Sequence, residues 1–136
     1  MQIRQFHPDD ESAVIELWRR CDLLRPWNDP VLDIQHKAKQ NDGLFLVGIM
    51  DGQIMASVMA GYDWHRGWLY LVGVDPAQRR QGFARQLISE AERLLRERGC
   101  RKINLQVRET NQQVIEFYKR VGYSVDPVLS MGKRFT

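Results

Sequence analysis

Apolar and polar positions along the chain alternate between a period of two and a period near 3.6, the mark of mixed strands and helices. Residues 2–6 read as a short strand. Pro8, Asp9, Asp10 and Glu11 then place a proline and negative charge where a helix starts. Val14, Leu17, Trp18 and Cys21 fall at i, i+3, i+4 and i+7, so that helix has one apolar face. The period breaks over residues 22–28, which predicts a loop. Asp29 as N-cap and Pro30 as first helical residue predict a second helix over about 30–40. Residues 44–50 and 53–62 are strand-like and meet at Asp51-Gly52, a strong hairpin signal.

After a break at residues 63–67, residues 68–74 are apolar on both faces, which predicts a central, buried strand. Gly73 within it points to a bulge or to a close approach by another segment. Asp75-Pro76 ends that strand. Ala84, Leu87, Ile88, Ala91, Leu94 and Leu95 share one face of an amphipathic helix that Gly99 closes. Residues 102–107 read as a strand, and Asn111 as the cap of a last helix carrying Val114, Phe117, Tyr118 and Val121 on one side. Gly122 ends that helix, and residues 123–125 and 128–135 read as two further strands. The expected order is β-α-α-β-β-β-α-β-α-β-β, an α/β (α+β) fold with a mixed central sheet flanked by helices. It spans residues 1–136 as a single domain, with no repeat and no low-complexity linker.

Composition narrows the class only modestly. The chain is 43% hydrophobic and 27% charged, which excludes whole-chain disorder and collagen-like repeats. The net charge of +3 is too small to imply nucleic acid by itself. Its distribution is more informative, because residues 79–102 carry a net +5 and the remainder −2. Cys21 and Cys100 lie in no CxxC or Cys/His cluster, so no metal is expected. No apolar run approaches about 18 residues, so no membrane partner is expected. Residues 1–10 lack the basic and apolar regions of a signal peptide, so the expected location is cytoplasmic, with both thiols reduced.

The front of the basic stretch carries the candidate chemistry. A buried strand runs through Val74-Asp75-Pro76 into Ala77-Gln78-Arg79-Arg80-Gln81-Gly82-Phe83-Ala84 and then into a helix. The first N–H groups of a helix lack intrahelical partners, and the helix dipole makes that end positive. Gly82 and Ala84 are small, so an anion can approach the backbone, and Arg79, Arg80 and Arg85 add charge and bidentate donors. A pyrophosphate suits such a loop. A Walker A loop needs Gly-Lys-Ser/Thr and a dinucleotide fold needs GxGxxG after the first strand, and both are missing.

Arg79-Arg80-Gln81-Gly82-Phe83-Ala84 resembles the R/Q-x-x-G-x-G/A loop of the GNAT (GCN5-related) N-acetyltransferases. Asn111 through Phe117-Tyr118-Lys119-Arg120-Val121-Gly122-Tyr123 is similar to that family's N-x-x-x-x-x-x-Y-x-x-x-G-[FY] segment, and the element order matches over essentially the whole chain. Residues 21–30, with Arg25-Pro26-Trp27-Asn28-Asp29, further resemble the bacterial YpeA-like branch.

The resemblance implies a GNAT fold and an acetyltransferase with acetyl-CoA as the acetyl donor co-substrate. The acceptor would be a small-molecule or protein amine, attacking directly in a ternary complex. Backbone N–H groups from Gln81, Gly82, Phe83 and Ala84 to Arg85 would hold the pyrophosphate. Val72 and Val74 would pair with the pantetheine arm, and the N–H of Val72 would serve as oxyanion donor. Asn111 would lie near the pantetheine, and Tyr118 would protonate the leaving thiolate.

The family's general base is not matched. Histone-type members carry glutamate at the place of Trp68, and N-terminal acetyltransferases at the place of Gln106. His65 stands roughly 23 Å from Val72 along an extended strand. Tyr70, on the same strand face as Val72, reads as a packing residue. Neither Cys21 nor Cys100 is placed for a covalent intermediate, each belonging to an element away from the expected thioester site. On the acceptor side, the loop bearing Arg25, Trp27 and Asn28 is the expected cover, with Asp29 read as a helix cap. A non-catalytic acyl-CoA-binding sensor on the same fold is the alternative. A nucleic-acid-binding domain lacks stacking aromatics beside the charge. A homodimer is left open, because the last strand could pair within the chain or across two copies.

Overall fold

A computed structural model describes all residues, Met1–Thr136. The elements follow the predicted order through the last helix. Strand β1 (Gln2–Gln5) leads through a single 3₁₀ turn at Pro8–Asp10 into helix α1 (Glu11–Arg20). Helix α2 (Pro30–Gln40) is followed by β2 (Phe45–Met50), β3 (Gln53–Tyr62) and β4 (Gly67–Val74). Helix α3 (Phe83–Glu97), strand β5 (Ile103–Leu105) and helix α4 (Gln112–Arg120) complete the list. The chain divides into two compact units, Met1–Gln106 and Val107–Thr136.

The first unit is one five-stranded sheet in the order β1-β2-β3-β4-β5. The first four strands are antiparallel, and β5 joins β4 in parallel across the α3 crossover. Asp51 and Gly52 both adopt positive φ, 51° and 74°, the tight turn whose twist matches two antiparallel strands. Phe45, Val47 and Met59 face α1 and α2, where they bury Val14, Trp18 and Ile34. On the other face α3 sets Leu87, Ile88, Ala91 and Leu95 against the sheet. Covering both faces explains why β4 is apolar on both sides.

Local chemistry fixes the element ends. The carboxylate of Asp29 accepts from the N–H of Leu32 at 3.1 Å and caps α2. Asp29→Ala should therefore cost about 1 kcal/mol of stability, read as a shifted urea midpoint with an unchanged slope. Gly99 at φ 91° closes α3. Asp10 accepts twice from the Arg4 guanidinium, at 2.8 and 3.0 Å, and its carboxyl is held below its ordinary range chiefly by that bond.

In the second unit, Asn111 Oδ1 accepts from the N–H of Val114 at 3.4 Å and caps α4. Gly122 at φ 102° ends the helix. The two strands expected over 123–125 and 128–135 do not form, and β5 is shorter than the expected 102–107. Apolar composition describes side chains that fit a sheet, whereas a strand exists only where a ladder partner is present. Pro127 also removes a ladder donor from this segment, and Gly132 weakens it.

Candidate active site

The central feature of the first unit is the parting of β4 from β5. The two strands pair only over Gly67–Leu69 and Ile103–Leu105. Beyond Leu69, β4 continues to Val74 while β5 does not accompany it. On the other side β4 stays bound to β3, with Gly73 opposite Ser57 and the N–H of Asp75 donating to Met55. Strand alternation then turns the backbone groups of Val72 and Val74 toward the open side.

A bulge sets this geometry. Ser57 pairs with Gly73 and Met59 with Tyr70, so two steps on β3 meet three on β4. Leu71 takes φ 52°, a left-handed conformation that costs a leucine roughly 1–2 kcal/mol. The extra residue puts Tyr70 and Gly73 on one face and Val72 on the other. This corrects the expectation that Tyr70 and Val72 share a face. Gly73 is not itself the bulge. A Cβ there would stand 3.1 Å from Leu23 and 3.2 Å from Cys21 Sγ, so this glycine admits the chain that follows α1.

Cys21 is thus not remote from β4. Its Sγ donates to the carbonyl of Val74 at 3.3 Å, and Arg79 Nε donates to the same oxygen at 3.3 Å. Burial pushes the thiol up, more than the neighbouring Arg79 pulls it down, which keeps it protonated and weakly nucleophilic. The resemblance implies that Val74 pairs with a bound pantetheine; two side chains already meet its carbonyl, and its N–H points to the open side. Arg20 pairs with Asp75 at 2.8 Å, which ties α1 to the same strand end.

The loop that follows is exposed and basic. Arg80 and Gly82 adopt positive φ, 65° and 80°, around Gln81. A Cβ on Gly82 would meet nothing within 4 Å, so glycine is required there by its backbone conformation and not by crowding. The starts of α2 and α4 are capped by side chains, but α3 begins with no side-chain cap and no acid in its first turn. Its first N–H groups lack a side-chain partner, and Arg79, Arg80 and Arg85 adjoin them in sequence, an arrangement favourable to an anion. Farther along α3, Arg93 is committed to Glu90 and Glu97, each at 2.6 Å. Arg98 donates to the carbonyl of Asp42.

On the Tyr70 face, Trp68 and Tyr70 stack with centroids 6.2 Å apart and planes 17° apart. Tyr70 is 49% exposed, more open than a packing residue. Its phenol is raised by partial burial and by Asp63. Asp63 accepts from the N–H groups of His65 and Arg66, at 2.9 and 2.7 Å, and from Trp68; these bonds hold it ionised. His65 therefore sits in an exposed turn, off the strand. In the loop after α1, Trp27 is 48% exposed, whereas Arg25 folds back onto the carbonyls of Asp22 and Leu24, at 2.9 and 2.8 Å. The N–H of Asn28 donates to the Arg25 carbonyl at 3.1 Å, while Leu23 and Leu24 anchor the loop on the core.

Two candidates lie in the second unit. Asn111 is occupied as a helix cap. Tyr118 is 8% exposed and meets Phe117 and Tyr123 edge to face, at 5.3 and 5.6 Å. Burial pushes its phenol up to about 12, so it stays protonated across the neutral range.

Sequence reasoning missed Ser57, a fully buried hydroxyl beside the bulge. The one signal was a serine in the middle of an otherwise apolar strand.

The pattern defining the Acetyltransferase (GNAT) family matches residues 12–123. The chain is similar to an acetyltransferase of Pectobacterium atrosepticum, 52% identical over 134 residues, which covers 98% of this chain and 95% of the relative. Among solved structures it resembles Naa20 of Chaetomium thermophilum in complex with a bisubstrate analogue. That match has 28% identity and a TM-score of 0.72, and covers 92% of this chain and 72% of the other. Ard1 of Thermoplasma volcanium has the same fold, at 24% identity and a TM-score of 0.78, covering 92% and 83% of the two chains.

Proposed function

Because the chain belongs to the GNAT acetyltransferase family, we propose that it transfers the acetyl group of acetyl-CoA to the nitrogen of an amine by direct attack. One observation carries the reading: the open edge of β4 leads through the exposed basic loop into the uncapped, arginine-flanked start of α3. Such an edge suits an extended amide-bearing arm, and such a helix start suits a pyrophosphate. Acetyl-CoA supplies an arm and a pyrophosphate of this kind, together with the thioester that the amine attacks.

Each residue then has a task. The N–H groups from Gln81 to Arg85 hold phosphate oxygens, and Arg79, Arg80 and Arg85 neutralise their charge. Val72 and the N–H of Val74 hydrogen-bond the arm. The N–H of Val72 stabilises charge on the carbonyl oxygen as the C–N bond forms. Tyr118 gives its proton to sulfur as the C–S bond breaks. Strands β4 and β5 contain no acidic residue, so the amine loses its proton to water or to a backbone carbonyl. The stacked Trp68–Tyr70 pair beside the Asp63 carboxylate suits an acceptor that carries positive charge, as most amines do near neutrality.

The test is release of free CoA thiol from acetyl-CoA in the presence of small amines, aminoglycosides, lysine peptides and peptides with free N-termini. Turnover with at least one class is expected, with kcat/KM rising with pH in step with the acceptor's own amine pKa. Tight binding of acetyl-CoA without release above background for any class would leave a sensor in place of an enzyme.

A further inference from the structure

We propose that Ser57 and Trp18 are positioning residues for acetyl transfer, holding the β4 bulge so that the N–H of Val72 keeps its aim; the inference rests on the acetyltransferase reading above. Both side chains have 0% exposure. Trp18 Nε1 donates to Ser57 Oγ at 2.9 Å, and Ser57 Oγ donates to the carbonyl of Leu71 at 3.2 Å.

The direction of this chain of bonds is forced. An indole nitrogen only donates, so the serine oxygen accepts from it, and the hydroxyl proton is left for Leu71. Leu71 is the residue held at positive φ, where the β3–β4 register slips. A bulge leaves one residue outside the ladder, so its backbone groups need partners from elsewhere. The hydroxyl of Ser57 is that partner, and it reaches Leu71 from the strand across. The Leu71 side chain also packs against the buried cluster to which Trp18 belongs, which secures the same residue. Val72 follows immediately, so its N–H direction depends on the Leu71 dihedrals.

Fully buried hydroxyls are uncommon inside apolar strands because they must be satisfied there. An alanine at position 57 would leave both the Trp18 indole and the Leu71 carbonyl without these bonds. The same bulge would then be held by packing alone.

The experiment compares wild type, Ser57→Ala, Trp18→Phe and Ser57→Thr, with Ile34→Val as a control that thins the same core away from these bonds. Each is assayed well below its unfolding temperature, and the kinetics are normalised to folded protein. Amide hydrogen exchange at Tyr70 and Gly73, the β4 residues paired with β3 on either side of the bulge, is measured in parallel. Ser57→Ala and Trp18→Phe are expected to lower kcat about tenfold and leave CoA affinity within about twofold, since an oxyanion donor acts at the transition state. Exchange at Tyr70 and Gly73 should rise about tenfold, Ser57→Thr should recover most of kcat, and Ile34→Val should keep kcat. Unchanged kcat and unchanged exchange in Ser57→Ala would overturn the positioning role while acetyl transfer by wild type still stood. An equal loss of kcat in Ile34→Val would also overturn it, because general loosening would then suffice. Absence of turnover in wild type would remove the enzymatic reading, and with it this inference.

Discussion

Tyr118→Phe should lower kcat for acetyl transfer by about a hundredfold, with acetyl-CoA affinity changed by no more than about twofold. Phenylalanine keeps the ring and its edge contacts with Phe117 and Tyr123, so the packing of α4 is retained. Only the phenolic hydroxyl, and with it the transferable proton, is removed. General acids contribute about 10²- to 10⁴-fold, and a thiolate is a good leaving group, which places this case at the low end. The pH profile adds a second check. Burial pushes the phenol up to about 12, so the acid stays loaded from neutrality to well above pH 10. The wild-type profile should therefore show no alkaline fall attributable to this group near its ordinary pKa of about 10. A falling limb near pH 10 that disappears in Tyr118→Phe would contradict a buried acid, and undiminished kcat would remove the role altogether. The same shift links to folding. Below about pH 10 the phenol is protonated in both states, so its contribution to stability is complete; that contribution is lost as pH rises through about 12.

Ala84→Asp should move folding and binding in opposite directions. Ala84 is the second residue of α3, in a first turn that holds no acid. A carboxylate there complements the helix dipole and should raise stability by about 0.3–1 kcal/mol. It also sets negative charge where the phosphates are proposed to lie. Two like charges about 4 Å apart at an effective dielectric near 20 repel by about 4 kcal/mol, so acetyl-CoA affinity should fall by about 10²- to 10³-fold. Calorimetric titration with CoA and thermal unfolding measure the two quantities. The neutral Ala84→Asn should lose far less affinity, and added salt should narrow the gap between the variants. Binding by Ala84→Asp within about threefold of wild type would place the phosphates elsewhere. Because the variant is expected to be at least as stable as wild type, unfolding cannot mimic the effect.

Much of this was legible along the chain. The helices and first four strands follow apolar periods, and their ends follow Asp29, Asp51-Gly52, Gly99 and Asn111. The basic loop was legible because glycine, arginines and a helix start adjoin in sequence. Position 57 carried a faint signal, a serine among apolar neighbours, but its partners Trp18 and Leu71 lie 39 and 14 residues away. Cys21 was misjudged for the same reason, since its contact with Val74 spans 53 residues. The terminal strands were over-read because apolar composition cannot report whether a ladder partner is present.

The sequence by itself determined what short-range physics decides: which segments are helical, where they begin and end, and that three arginines adjoin the start of α3. Only the tertiary structure decided where β4 leaves β5, that the bulge sits at Leu71 and not at Gly73, and which face Tyr70 shares. Periodicity and capping depend on residues within one or two turns of each other. A bulge depends on the relative slip of two strands, and that slip is settled by the side chains packed across both.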